Sequence, residues 1–122
     1  MDRKFEKSLY KQTHTQMGVY QIKNVENEKI FIGSSMDLAK IMNRHKFELK
    51  IKSHFNKRLQ QDWDTFGEHS FSFEILETIK PEEETIIDVN SLHKYKRRLA
   101  QLEEKWLQEL LPYEERGYNY KK

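Results

Sequence analysis

The chain has 122 residues, 34% of them charged, with a net charge of +2 and no cysteine. That length suits one domain with a modest core, and the absence of cysteine excludes a disulfide frame or a zinc–thiolate cluster. No apolar run approaches the ~20 residues of a membrane span, and Met1-Asp2-Arg3-Lys4 is unlike a secretory signal, so an intracellular, cytoplasmic protein without membrane contact is expected.

Residues 1–16 are polar, with Phe5, Leu9 and Tyr10 as anchors, and read as an N-terminal extension to a domain over 17–122. A strand is expected over about Met17–Val25, with Val19 and Ile22 inward, and a second over about Lys29–Gly33, joined by a polar turn. Ser34-Ser35-Met36-Asp37 carries helix-capping chemistry. Leu38, Ile41, Met42, His45 and Leu49 then recur at helical spacing and predict a helix over about 37–52. A second helix is expected over about 56–66, with Phe55, Leu59, Trp63 and Phe66 buried and Gly67 as its stop. Alternation in Phe71-Ser72-Phe73-Glu74-Ile75 predicts a third strand over about 70–79. Pro81 opens an acidic stretch, read as a short helix or an exposed loop. The stripe Leu92, Tyr95, Leu99, Leu102, Trp106 and Leu110 predicts a last helix over about 90–111, ended by Pro112. The order β-β-α-α-β-α indicates an α/β fold, a small, mainly antiparallel three-stranded sheet flanked by helices.

Charge is segregated along this order. Residues 40–60 hold seven bases, among them Lys40, Arg44, Lys46, Lys50, Lys57 and Arg58, against Glu48 alone, a balance of +6. Residues 61–89 hold nine acids against Lys80, a balance of −8. A basic surface of this kind suits a polyanion, although two solvated helix faces would look the same.

The segment Gly18-Val19-Tyr20, with Phe31-Ile32-Gly33 beginning eleven positions after Tyr20, resembles the paired signature of the GIY-YIG nuclease family. The likeness continues through Gly33-Ser34-Ser35, Asn43-Arg44-His45-Lys46, His54-Phe55-Asn56-Lys57-Arg58-Leu59-Gln60, Leu102-Glu103-Glu104-Lys105-Trp106 and Gly117-Tyr118-Asn119. It is nearest in character to the catalytic domain of phage-type homing endonucleases, and it implies metal-dependent phosphodiester hydrolysis. By the resemblance, Glu103 holds one divalent cation, Mg²⁺ or Mn²⁺, and Tyr20 handles the nucleophile's proton. His45 serves as a hydrogen-bonding or relay group, and Asn119 bonds within the site. Taken without the resemblance, these are a solvated helix glutamate, a packed strand tyrosine, a core histidine and a tail turn.

Two positions depart from the family pattern. Phe31 keeps the ring of the second tyrosine without its hydroxyl. Ile41 stands where the family places an arginine, one turn before His45, and it also fits the apolar stripe of its helix. Three functions follow as alternatives. The first is an impaired domain that still binds nucleic acid, duplex or branched DNA. The second is a working Mg²⁺ endonuclease with rearranged cation support. The third is a protein-interaction module with the acidic 61–89 region as its face. Homing enzymes append a recognition module that 122 residues leave no room for, so targeting by a protein partner is a further expectation.

Overall fold

The hairpin forms as expected, from β1 (Met17–Asn24) and β2 (Ile30–Ser35). Helices α1 (Leu38–Lys50) and α2 (Lys57–Phe66) follow, then β3 (Phe71–Ile79) and the long α3 (Val89–Leu110). The sheet order is β2-β1-β3, with both pairings antiparallel. The computed structural model describes residues 16–80 and 89–121. The expected N-terminal extension, with Phe5, Leu9 and Tyr10, and the acidic stretch opened by Pro81 lie outside the described residues. Among the described residues no helix is long and apolar enough to cross a membrane.

Local chemistry explains the element ends. Asn24 closes the hairpin, its Oδ1 accepting from the Glu26 N–H at 2.9 Å, a side-chain turn of the kind asparagine favours. Asp37 caps α1 by accepting from the Lys40 N–H, and Asn56 caps α2 by accepting from the Leu59 N–H. Gly67, at φ 91°, ends α2. Because Asn56 is the cap, Phe55 falls in the loop before α2 and not on its buried face. It is 65% exposed, and Phe66, at the last turn of the helix, is exposed as well.

β1 is covered on both sides, which is why it shows no simple alternation. Tyr20, Ile22 and Phe31 face Leu38 and Leu49 of α1 and Leu59 and Trp63 of α2. Val19 and Ile32 face Leu107 of α3, a buried residue outside the predicted stripe of that helix. Val19 and Ile22 are thus both inward, but on opposite faces, as their odd separation along a strand requires.

After Pro112 the chain returns along the outer edge of β2. The Tyr118 N–H donates to the Ile30 carbonyl at 2.8 Å, and Ile30 and Gly117 form an isolated parallel bridge. This tail covers an edge that would otherwise offer unpaired backbone groups.

Candidate functional site

The paired motif works by making room for one tyrosine. Tyr20 lies opposite Gly33 in the hairpin. A Cβ at position 33 would come within 2.5 Å of the Tyr20 hydroxyl, so only glycine lets the phenol lie across β2. On the other side, a Cβ at Gly18 would come within 2.0 Å of the Glu77 carbonyl oxygen, so β1 and β3 approach closely there. Directly after it the pairing shifts from Val19↔Glu77 to Tyr20↔Ile75. This irregularity leaves Leu76 without a partner and aims the Tyr20 side chain.

Behind Tyr20 runs a buried chain of polar groups. Its hydroxyl lies 2.7 Å from His45 Nε2, and His45 Nδ1 lies 2.7 Å from His54 Nε2. The Asn56 backbone N–H closes the chain by donating to His54 Nδ1 at 3.0 Å. Tyr20, His45 and His54 are 4%, 3% and 0% exposed. Burying such groups is costly unless all are bonded, and among the described residues no buried side-chain nitrogen or oxygen lacks a partner. Gln60 fixes the loop: its Oε1 accepts from the His54 N–H and its Nε2 donates to the Leu49 carbonyl.

Burial governs the protonation of these groups. It lowers His45 to about 4, with the neighbouring His54 adding to the effect, and it lowers His54 as well. The Tyr20 phenol is pushed up, first by burial and then by the negative charge of Glu103. All three groups are therefore neutral at pH 7.

The two departures from the family pattern fall on the same wall. The Phe31 ring packs edge-on against His45 and His54, with centroids 5.6 and 6.5 Å away. Its shape keeps water from the histidines, and it brings no hydroxyl. Ile41 is half-buried against the cluster of Tyr20, Phe31 and Leu38. The cations nearest in sequence do not replace an arginine there. Arg44 is turned to Glu48, 3.0 Å away, and Lys40 is exposed. Among the described residues none of Lys40, Arg44, Lys46, Lys50, Lys57 and Arg58 bonds to Tyr20, His45 or Glu103. Lys46 lies over the Phe73 ring and Arg58 donates to the Glu114 carbonyl, while Lys40, Lys50 and Lys57 are exposed.

Glu103 reaches the site from the other face of the sheet. It is half-buried on α3 and accepts a 2.5 Å hydrogen bond from Ser34 Oγ, next to Gly33 on β2. An open groove of roughly 440 Å³ adjoins it, lined by Glu103, Leu107, Tyr113 and Tyr120 among others. Glu104 lines the same groove, and a carboxylate beside open space is the kind of oxygen donor that suits a hard divalent cation keeping several waters. Among the described residues no group of three or more acids and histidines could cage a metal.

Asn119 is already committed. Its Oδ1 accepts from the Ile32 N–H at 2.8 Å, and its Nδ2 donates to the Ile32 carbonyl at 2.9 Å. It holds the tail to β2 between Phe31 and Gly33. Of the acids expected to form an outward face, four of those among the described residues are engaged within the chain. Asp62 accepts from Tyr118 and Asn27, Asp64 pairs with Lys52, and Glu74 and Glu77 accept from Gln21 and Trp106.

Neither His54 nor the Asn56 amide stands out in the sequence as a site group, and Ser34 reads there only as part of a helix-capping segment. The available signal for His54 is a second histidine nine residues after His45, just beyond the end of the helix. That spacing brings the rings together only because the loop after α1 turns back under Gln60.

Comparison with known proteins agrees with this geometry. The GIY-YIG catalytic domain matches residues 16–119. Intron-associated endonuclease 1 of Enterobacteria phage T4 is 38% identical over 71 residues, which is 58% of this chain and 29% of that protein. The chain therefore spans under a third of the length of that relative. The solved catalytic domain of the homing endonuclease I-TevI superposes with a TM-score of 0.68 at 30% identity, covering 87% of this chain and 99% of that one. A mutant of the same catalytic domain gives 0.67 at 30% identity, covering 86% and 93%. With the motif glycines seating Tyr20 and the match running from residue 16 to 119, the chain belongs to the GIY-YIG nuclease family.

Proposed function

We propose that this chain is a DNA-binding GIY-YIG domain whose phosphodiester cleavage is strongly impaired. Ile41 carries the reading. An apolar side chain, half-buried against the core cluster that contains Tyr20, Phe31 and Leu38, stands where the family resemblance places a guanidinium. Hydrolysis develops charge on the phosphate, and losing an arginine clamp on a transferring phosphoryl group costs about 10³–10⁵ in rate. An isoleucine offers no hydrogen bond to the phosphate. A cation held by Glu103 would neutralise part of that charge and activate a water. Ser34 orients the carboxylate, and Tyr20, backed by His45, would lie beside the phosphate. The exposed Lys40 and Lys50 of α1 and Lys57 of α2 would face the DNA backbone, whose recognition is chiefly electrostatic.

A second reading, an active Mg²⁺-dependent endonuclease, is favoured by one observation. The Tyr20–His45–His54 chain is complete and fully bonded. A plasmid and branched-duplex nicking assay with Mg²⁺ or Mn²⁺ separates the two. Little cleavage is expected from the native chain, and a gain from Ile41→Arg combined with Phe31→Tyr. Metal-dependent nicking by the native chain that vanishes in Glu103→Ala would overturn the impaired reading. DNA affinity should fall steeply with salt, and each of Lys40→Ala, Lys50→Ala and Lys57→Ala should reduce that slope by about one. Binding that ignores salt would remove DNA as the partner.

A further inference from the structure

The chain behind Tyr20 has a direction, set at its far end by a group that can only donate. The Asn56 N–H points at His54 Nδ1, and a backbone N–H has no acceptor alternative. His54 Nδ1 therefore presents its lone pair, and a neutral His54 carries its proton on Nε2. That proton lies between the rings, so His54 donates and His45 Nδ1 accepts. His45 in turn carries its proton on Nε2 and donates to the Tyr20 oxygen. Every other arrangement sets two donors against each other. A proton on His45 Nδ1 would meet the His54 Nε2–H at 2.7 Å. Moving the His54 proton to Nδ1, or charging that ring, would meet the Asn56 N–H at 3.0 Å.

We infer that the Asn56 amide, acting through His54 and His45, holds Tyr20 as a hydrogen-bond acceptor on its buried side, so that the phenol meets the nucleic acid as a hydrogen-bond donor to a phosphate oxygen. His45 is then not the group that takes the Tyr20 proton. His45 and His54 are positioning residues: they touch the tyrosine and each other, and they hold one tautomer. The phenol has capacity left for this contact. Among the described residues His45 is its sole hydrogen-bond partner, and the oxygen occupies the space that a Cβ at Gly33 would fill. The surroundings keep the chain dry, since Phe31 packs edge-on against both rings and Phe55 stacks on His54 at 4.6 Å. The phosphate contact rests on the DNA-binding reading above, whereas the direction of the chain does not.

Nitrogen-resolved NMR of the imidazoles in the whole chain at neutral pH tests the direction. Both His45 and His54 should show a protonated Nε2 and a bare Nδ1; a protonated Nδ1 on either ring overturns the inference. His54→Gln places an amide N–H near the former Nε2 and should keep His45 in the same tautomer. His54→Leu removes the donor and should let His45 populate both tautomers. An unchanged His45 in folded His54→Leu would overturn the lock, and if that variant does not fold, the native spectrum and His54→Gln still decide. For the phosphate contact, Tyr20→Phe should weaken duplex binding about tenfold. Unchanged affinity would overturn that half alone. Failure of the native chain to bind DNA would remove it together with the DNA-binding reading, and the tautomer result would stand by itself.

Discussion

Replacing Asn119 with alanine separates a structural clip from a site residue. The Asn119 amide makes two hydrogen bonds to the backbone of Ile32, at 2.8 and 2.9 Å, and so stands in for one residue of an added strand. Ile32 is 1% exposed, which leaves water little access to the groups released. Each bond contributes about 1 kcal/mol net, and leaving a buried donor unsatisfied costs roughly 1–3 kcal/mol. Part of that cost is recovered if the tail peels away and water reaches the edge of β2. A loss of about 2–4 kcal/mol is therefore expected, a large share of the 5–15 kcal/mol typical of a domain. Urea unfolding followed by the fluorescence of Trp63 and Trp106 measures it, with the midpoint falling and the slope unchanged. DNA affinity of the folded variant should stay within about twofold, since both polar atoms of the Asn119 amide are already bonded to the Ile32 backbone. A stability loss of less than about 0.5 kcal/mol, with binding or rescued cleavage abolished, would refute the clip and place Asn119 in the chemistry.

Gly33→Ala should displace the Tyr20 phenol, because the added methyl would come 2.5 Å from its oxygen. Overpacking of this kind costs about 1–3 kcal/mol, and unaltered stability in urea would show that the ring yields freely. Stability should also fall as pH drops through the range where unfolded histidine takes up a proton and the buried rings do not. His45 is held down at about 4 and His54 is lowered too, against an ordinary value of 6.5. The unfolded chain then binds more protons between about pH 6.5 and 4, so stability rises with pH across that window. Each fully resistant histidine contributes up to about 1.4 kcal/mol per pH unit. Unfolding midpoints at pH 7.5, 6 and 5 check this. A flat series would mean that the rings titrate as they do in the unfolded chain.

What could be read along the chain was local. Asp37 and Asn56 each sit three residues before the amide they cap, Gly67 stands where α2 must stop, and the turn from Asn24 to Lys29 is built from residues that bond their own backbone. Such contacts depend on spacings of two to four residues, which the sequence displays directly. The motif glycines were legible as signature letters, but their purpose was not. Gly33 matters because of where the Tyr20 oxygen lies, and that follows from strand register. Phe55 misled because an aromatic beside a helical stripe reads as core, whereas here it precedes the cap and covers His54 from the solvent side.

The sequence by itself determined the family, the order of elements, and the two losses at Phe31 and Ile41. Only the tertiary structure decided how the remaining groups act together. It joined His54 to His45 through a returning loop, brought Glu103 to Ser34 from the opposite face of the sheet, and turned Asn119 toward the backbone of Ile32. These partners lie 9 to 87 residues apart, and their bonds exist because two packed layers hold β1 between them. No pattern of adjacent residues encodes that enclosure.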